Sequence, residues 1–168
     1  IGVTKKENII QMGVLENSVR EDLDAIAPRA MAVLDPLKLT LTNWPEGKTE
    51  TMTAQNHPNK PEMGERELNF GRELYIERDD FMEDPPKKFF RLGPERTVRL
   101  KYGYIIKCND YVKDDAGKIT ELHCEYYPES RSGSDTSGIK VKGTIHWLSA
   151  RHAVSAEIRM YDRLFSDE

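Results

Sequence analysis

The sequence predicts a mainly β protein: a small antiparallel β-barrel preceded by a short helical segment. Three observations carry this. Beyond Pro28 the chain breaks into short strand-forming runs separated by turn residues. A sustained helical spacing of apolar residues occurs only ahead of that proline. Two arms, Tyr104–Val112 and Lys118–Tyr127, flank Asp114-Asp115-Ala116-Gly117, which has the composition of a hairpin turn. Many short strands without alternating helices fit a small barrel better than a parallel sheet.

The totals agree. A chain of 168 residues, 38% hydrophobic and 32% charged, makes one domain with at most a small appendage, and is long enough to bury a core. No apolar run approaches the ~20 residues that cross a bilayer, and no signal-peptide pattern is present, so no membrane partner is expected. Two cysteines, Cys108 and Cys124, are too few for a disulfide scaffold, which points to the cytoplasm. The first residue is Ile1 and the last are Ser166-Asp167-Glu168; both ends read as cuts within a longer parent, so an active site is expected elsewhere.

Taken in order, Thr4-Lys5-Lys6-Glu7 has the form of a capping box, which Gly13 then interrupts. Leu15, Val19, Leu23 and Ile26 follow at helical spacing, so an amphipathic helix is expected from about Val14 to Ala25, docked on a neighbouring domain and ended by Pro28. Strands are expected at Ala30–Val33, Leu37–Thr42, Thr49–Thr53 and Leu74–Glu77, with Asn43-Trp44-Pro45-Glu46-Gly47 as a turn. The proline-punctuated stretch Gln55–Gly64 has no period and reads as a loop, and Arg78–Glu83 as one helical turn before Pro85-Pro86. Glu129–Gly138, rich in Ser and Gly, reads as a mobile loop, and Lys140–Leu148 and Val154–Phe165 as the last strands.

The stretch from Pro85 to Lys107 holds seven Lys/Arg against one acid, a local charge of +6 in a chain whose net charge is −4. A basic island in an acidic protein fixes where an anionic partner sits. Its aromatics alternate with the charges, which suits stacking on unpaired bases as well as neutralising phosphates. From Thr97 onward Val98, Leu100, Tyr102, Tyr104 and Ile106 fall on one face and Thr97, Arg99, Lys101 and Gly103 on the other, as in a half-buried strand. A solvated strand face with no ligand has the same composition.

Other chemistry finds little support. No phosphate-binding glycine loop occurs, and His57, His123, His146 and His152 do not pair with each other or with the cysteines at metal-ligand spacing. Buried thiols and surface imidazoles account for these residues, and Asp79-Asp80 and Asp114-Asp115 read as solvated turn acids.

Several strings together resemble the glutaminyl-tRNA synthetases. They are Ile1-Gly2-Val3-Thr4-Lys5, Arg20-Glu21-Asp22-Leu23, Ala27-Pro28-Arg29-Ala30-Met31-Ala32-Val33, Asn56-His57-Pro58-Asn59-Lys60-Pro61-Glu62-Met63-Gly64, Val141-Lys142-Gly143-Thr144-Ile145-His146-Trp147 and Ile158-Arg159-Met160-Tyr161-Asp162-Arg163-Leu164-Phe165. The resemblance runs from end to end. It implies that residues 1–28 end a helical connector from a catalytic domain, and that 29–168 form the proximal anticodon-binding barrel. It also implies a parent that charges glutamine tRNA using ATP with magnesium in a catalytic domain outside this chain, acts as a monomer, and needs no cofactor within this segment. The similar barrel of the archaeal and eukaryotic type of glutamyl-tRNA synthetase is the alternative within the family.

The same resemblance supplies candidate contacts. Arg29 matches an arginine on the middle anticodon base, Arg91 one on the third base and Arg99 one on the first, while Asn59 matches a loop asparagine near the anticodon. Lys88 stands where better-known members carry glutamine, Phe90 where they carry lysine, Lys101 where they carry arginine and Asp24 where they carry asparagine. Lys88 and Lys101 remain in the candidate RNA-binding set, Lys101 as a phosphate contact without a planar fork. Two further classes stand beside an RNA-binding module: a protein-interaction barrel, in which Arg99→Ala is silent, and a self-contained enzyme with a metal or thiol centre.

Overall fold

A computed structural model describes residues 11–160. The capping box at Thr4–Glu7 and the part of the last expected strand beyond Met160 lie outside the described residues.

Helix α1 spans Met12–Ile26 and ends where Pro28 requires, with the Ala27 N–H bonded to the Leu23 carbonyl at 2.8 Å. Gly13, expected to interrupt, sits in its first turn. No residue of α1 is buried; Leu15, Val19 and Leu23 line an open groove shared with Met12 and Met160. The helix is instead tied to the barrel by its last carbonyls, which have no partner within the helix. His57 Nε2 donates to the Asp24 carbonyl at 2.7 Å and Lys60 Nζ donates to that of Ala25. Just beyond, the Arg29 N–H reaches the Asn56 carbonyl at 2.6 Å. His57 Nδ1 accepts the Asn59 N–H, which fixes the ring as the Nε2–H tautomer. This ring is only 2% exposed, so the expectation of surface imidazoles fails here: His57 is a buried link between helix and loop.

The strands are β1 (Pro36–Leu41), β2 (Glu50–Gln55), β3 (Glu65–Phe70), β4 (Glu73–Glu77), β5 (Thr97–Leu100), β6 (Ile105–Lys113), β7 (Ile119–Tyr126), β8 (Thr144–Ile145) and β9 (Leu148–Ser149). Seven of them form one curled sheet in the order β8-β5-β6-β7-β1-β4-β9, and β2 pairs with β3 as a separate ribbon. The sheet is mainly antiparallel, as expected of the small barrel, with two parallel pairings, β1 with β7 and β5 with β8. Both parallel partners are joined through long connections, as parallel pairing requires. The sheet curls until its two edge strands, β8 and β9, come from one short segment with only His146 and Trp147 between them.

Alternation places Leu37, Leu39 and Leu41 of β1, Leu74 and Ile76 of β4, and Leu122, Cys124 and Tyr126 of β7 inside. Each aliphatic side chain buried in this way is worth roughly 1.5–3 kcal/mol over exposure. An aromatic cluster fills the centre, with Phe70 edge-on to both Trp44 and Trp147 at 4.9 Å between ring centroids. The indole N–H groups are satisfied at 2.9 Å by the Lys48 and Lys101 carbonyls respectively. Cys108 and Cys124 face each other across β6 and β7 as buried free thiols.

Several expectations are corrected. Ala30–Val33 forms no strand, and of these residues Met31 packs on the core. Strand β3 has too few apolar residues to show an alternation, since Glu65, Arg66 and Glu67 occupy half of it. The alternation from Thr97 to Ile106 is interrupted at Lys101-Tyr102-Gly103, a tight turn that puts Tyr102 at φ +64°. The Lys140–Leu148 run yields only the short β8 and the first residue of β9, and 154–160 is exposed without strand pairing. Glu129–Gly138 is pinned rather than mobile: Ser130 is fully buried, its Oγ accepts the Ile105 N–H at 2.7 Å, and the Thr136 N–H reaches the Glu129 carbonyl at 2.8 Å.

Candidate nucleic-acid interface

The basic island is built on the β5–β8 edge and on the loop between Phe81 and Leu92, which form an isolated bridge closing that loop's neck. Apart from Arg91 and Arg99, its seven cations divide into two kinds. Arg96 turns inward and donates to the Phe89 carbonyl at 2.7 Å and the Pro85 carbonyl at 2.9 Å, and Lys107 pairs with Glu95. Lys87 and Lys88, at the tip of a turn closed by the Phe89 N–H and the Pro86 carbonyl, are exposed, as is Lys101. None of these three has an acidic partner within 4.0 Å among the described residues.

The three candidate arginines share one arrangement: each is held by an aspartate. Arg29 pairs with Asp24, Arg91 with Asp80 at 3.3 Å, and Arg99 with Asp135. Arg29 is thus the helix-to-barrel junction residue as well as a candidate contact. Arg91 also donates to the Asp79 carbonyl at 3.2 Å, yet half of its side chain stays open to solvent. Arg99 is the most engaged; its Nη1 reaches the Ser130 carbonyl at 2.7 Å, so it clamps the 129–138 loop onto β5. A guanidinium has five donors in a fixed plane, and in each of the three some remain unused, so the aspartates orient the fork without consuming it.

Burial pushes the Asp80 carboxyl above its ordinary range, and the Arg91 guanidinium offsets part of that. Asp135 is shifted the other way, by hydrogen bonds from the Ser137 hydroxyl and N–H and by Arg99. Lys101 is fixed at its backbone: the N–H bonds the Ile145 carbonyl at 2.9 Å, the carbonyl accepts from Trp147, and the ammonium lies 5.5 Å from the Tyr102 ring centroid.

Lys88, Arg91, Arg99 and Lys101 therefore belong to one region around β5, β8 and the 81–92 loop. Arg29 and Asn59 sit at a second locus, where the 56–60 loop meets the end of α1; there the Asn59 N–H is used by His57 while the side chain is exposed. His146 connects the two, bonding the Ala32 carbonyl at 2.8 Å and approaching Glu77.

Sequence reasoning missed Lys142. Its ammonium lies 5.2 Å from the centroid of the exposed Phe90 ring. Only the β5–β8 pairing brings residues 142–145 beside the island, and no local pattern announces that pairing. Among the described residues no group of three His, Cys, Asp or Glu side chains converges as a metal site would require.

Comparison with known proteins places these features in context. Residues 27–127 match the family model described as tRNA synthetases class I (E and Q), anti-codon binding domain, and residues 144–168 match a second model of the same description. The chain is 58% identical over 168 residues to the glutamine–tRNA ligase of Rhodopirellula baltica, covering 100% of this chain and 28% of that protein. It is 54% identical over 166 residues to that of Bordetella pertussis, covering 98% and 28%. The Clostridium perfringens glutamine–tRNA ligase is 51% identical over 168 residues, covering 100% and 30%. The chain thus spans less than a third of the length of these relatives.

Proposed function

The chain belongs to the anticodon-binding domain family of the class I (E and Q) tRNA synthetases, and we propose that it reads the anticodon loop of a glutamine tRNA within a longer glutamine–tRNA ligase. The glutamine reading is favoured over the glutamyl alternative because the similar relatives carry the glutamine name. Charging of the tRNA, with ATP and magnesium, belongs to the part of the ligase outside this chain, which offers no glycine-rich phosphate loop of its own. Residues 1–28 serve as the end of a connector and 29–168 as the barrel; the end of α1 at Ile26 and the start of the family match at 27 support that division. We read the parent as a cytoplasmic, monomeric enzyme.

One observation carries the proposal: unpaired lysines and aspartate-oriented arginines lie on or just after β5 and on the 81–92 loop seated beside β8. Lys88 and Lys101 supply charge for phosphates. Arg91 and Arg99 present planar donors to the Watson–Crick edges of splayed bases. Arg29 and Asn59 hold the neighbouring part of the loop.

Fluorescence anisotropy of the chain with a glutamine anticodon stem-loop, against the same stem with altered anticodon bases and at two salt concentrations, tests this. The glutamine anticodon should win at both salts. Arg91→Ala should cost on the order of 1–3 kcal/mol and relax discrimination at one base. Lys101→Ala should weaken all RNAs alike and flatten the salt dependence. Equal binding of every anticodon at both salts would reduce the surface to a nonspecific polyanion site.

A further inference from the structure

Phe90 is 51% exposed, in a loop otherwise dominated by charge. That loop is firmly held. Its neck is tied by the Met82 N–H to the Leu92 carbonyl at 3.2 Å and by the Leu92 N–H to the Asp80 carbonyl at 2.9 Å. Arg96 binds two of its carbonyls from inside. Gly143 supports it from below so closely that a Cβ there would lie 1.8 Å from the Phe90 carbonyl oxygen. The ring is held in place with one ammonium, that of Lys142, over it.

Lys87 and Lys88 in this loop, Lys142 against it and Lys101 just after β5 have no acidic partner within 4.0 Å among the described residues. A protein partner would call for a contiguous apolar patch. Only Met82 and Phe90 in this loop are exposed large apolar residues. A single exposed aromatic ring with an unpaired ammonium 5.2 Å from its centroid, and two more unpaired lysines in the same loop, is suited instead to one nucleotide, whose base stacks while its phosphates meet the ammonium groups.

We propose that Phe90 is a stacking platform for one unpaired base of the bound RNA loop, with Lys142 over the opposite face of the ring and within reach of the adjoining phosphate. The proposal rests on the RNA-binding reading above. It makes Phe90 a specificity-tolerant anchor, because every base has a π-face, and leaves edge reading to the arginines.

The test uses this chain and glutamine anticodon stem-loops that each carry 2-aminopurine at one loop position, with affinity read by anisotropy and stacking by fluorescence. Phe90→Leu keeps an apolar side chain without a ring face and should weaken binding on the order of 5- to 100-fold. Phe90→Tyr should restore most of that affinity. With Phe90→Leu, one labelled position should brighten in the complex and the others should not. Lys142→Gln should lower the salt slope by roughly 0.7–0.9. Wild-type affinity and unchanged fluorescence in Phe90→Leu would overturn the stacking while leaving RNA binding intact. Equal losses in Phe90→Leu and Phe90→Tyr would overturn it too, since a ring would then not be what matters. Failure of the unmodified chain to bind any stem-loop would overturn both readings.

Discussion

Gly143→Ala is the sharpest single perturbation of this architecture. Gly143 lies just before β8, and its carbonyl accepts the Arg99 N–H at 3.0 Å. A Cβ at this position would stand 1.8 Å from the Phe90 oxygen and 2.9 Å from the Phe90 carbonyl carbon. Cβ atoms essentially never come within 3.0 Å of such neighbours, so the 89–91 backbone must retreat by at least about 1.2 Å. That backbone has little freedom, because the adjoining Phe89 carbonyl is already bonded to Arg96. Overpacking of this kind costs about 1–3 kcal/mol, and in a chain of this size each kcal/mol moves Tm by about 2–4 °C. The expected loss is therefore about 2–12 °C in a thermal melt, with a lower urea midpoint at unchanged slope. Stem-loop affinity should fall as well, since Phe90 moves with its backbone. Gly13→Ala is the matched control: nothing lies within 4 Å of its added Cβ, and it sits in a helix where alanine is favoured by about 1 kcal/mol. Were Gly143→Ala to melt within about 1 °C of the wild type, the seating of the 81–92 loop on β8 would be refuted.

Two further outcomes follow from the charges. Burial, followed by the hydrogen bond to Glu50, pushes the Tyr104 hydroxyl up to about 12. Its folded value lies above the unfolded one, so its contribution to stability is intact below pH ~10 and is lost as the pH rises from there through about 12. Denaturation at stepped alkaline pH should show this decline and Tyr104→Phe should lessen it; identical profiles would disprove the assignment. Asp135→Asn keeps one oxygen for Ser137 but removes the charge that orients the Arg99 guanidinium, so stem-loop affinity should fall several-fold. The loss should vanish in an Arg99→Ala background, and an equal loss in both would mean that Asp135 does not act through Arg99.

The elements legible in the sequence are those whose pattern is self-contained. In β1, Leu37, Leu39 and Leu41 alternate with polar residues and declare a half-buried strand, and the hairpin at 114–117 announces the pairing of β6 with β7. Where partners are distant, the pattern fails. Strand β3 is charged through Glu65–Glu67 because only its far end, at Phe70, is buried. Strands β8 and β9 are too short to hold a period and exist only because β5 and β4 receive them. At the site, the island and its arginines were readable as charge, and the strings resembling the family located them. The aspartates that hold those arginines are not legible: Asp80 reads as a solvated turn acid but is buried against Arg91, and nothing local marks Asp24 or Asp135 as the partners of Arg29 and Arg99. Lys142 stayed hidden because it lies beyond the loop that separates β7 from β8.

The bridging of both sheet edges by residues 144–149 has a consequence for how the molecule is made. Strands β1 to β7 are all synthesised before either edge strand exists, and β4 waits from Glu77 to Leu148 for its neighbour β9. Closing so long a loop is entropically costly and slow, so the curled sheet should complete late in folding. Until then β4 and β5 each have an exposed edge, and Phe90 has no floor beneath it. The RNA-facing surface and the final closure of the sheet thus arise together, so a nascent chain that ends before Gly143 presents the basic island without the geometry that would let it discriminate.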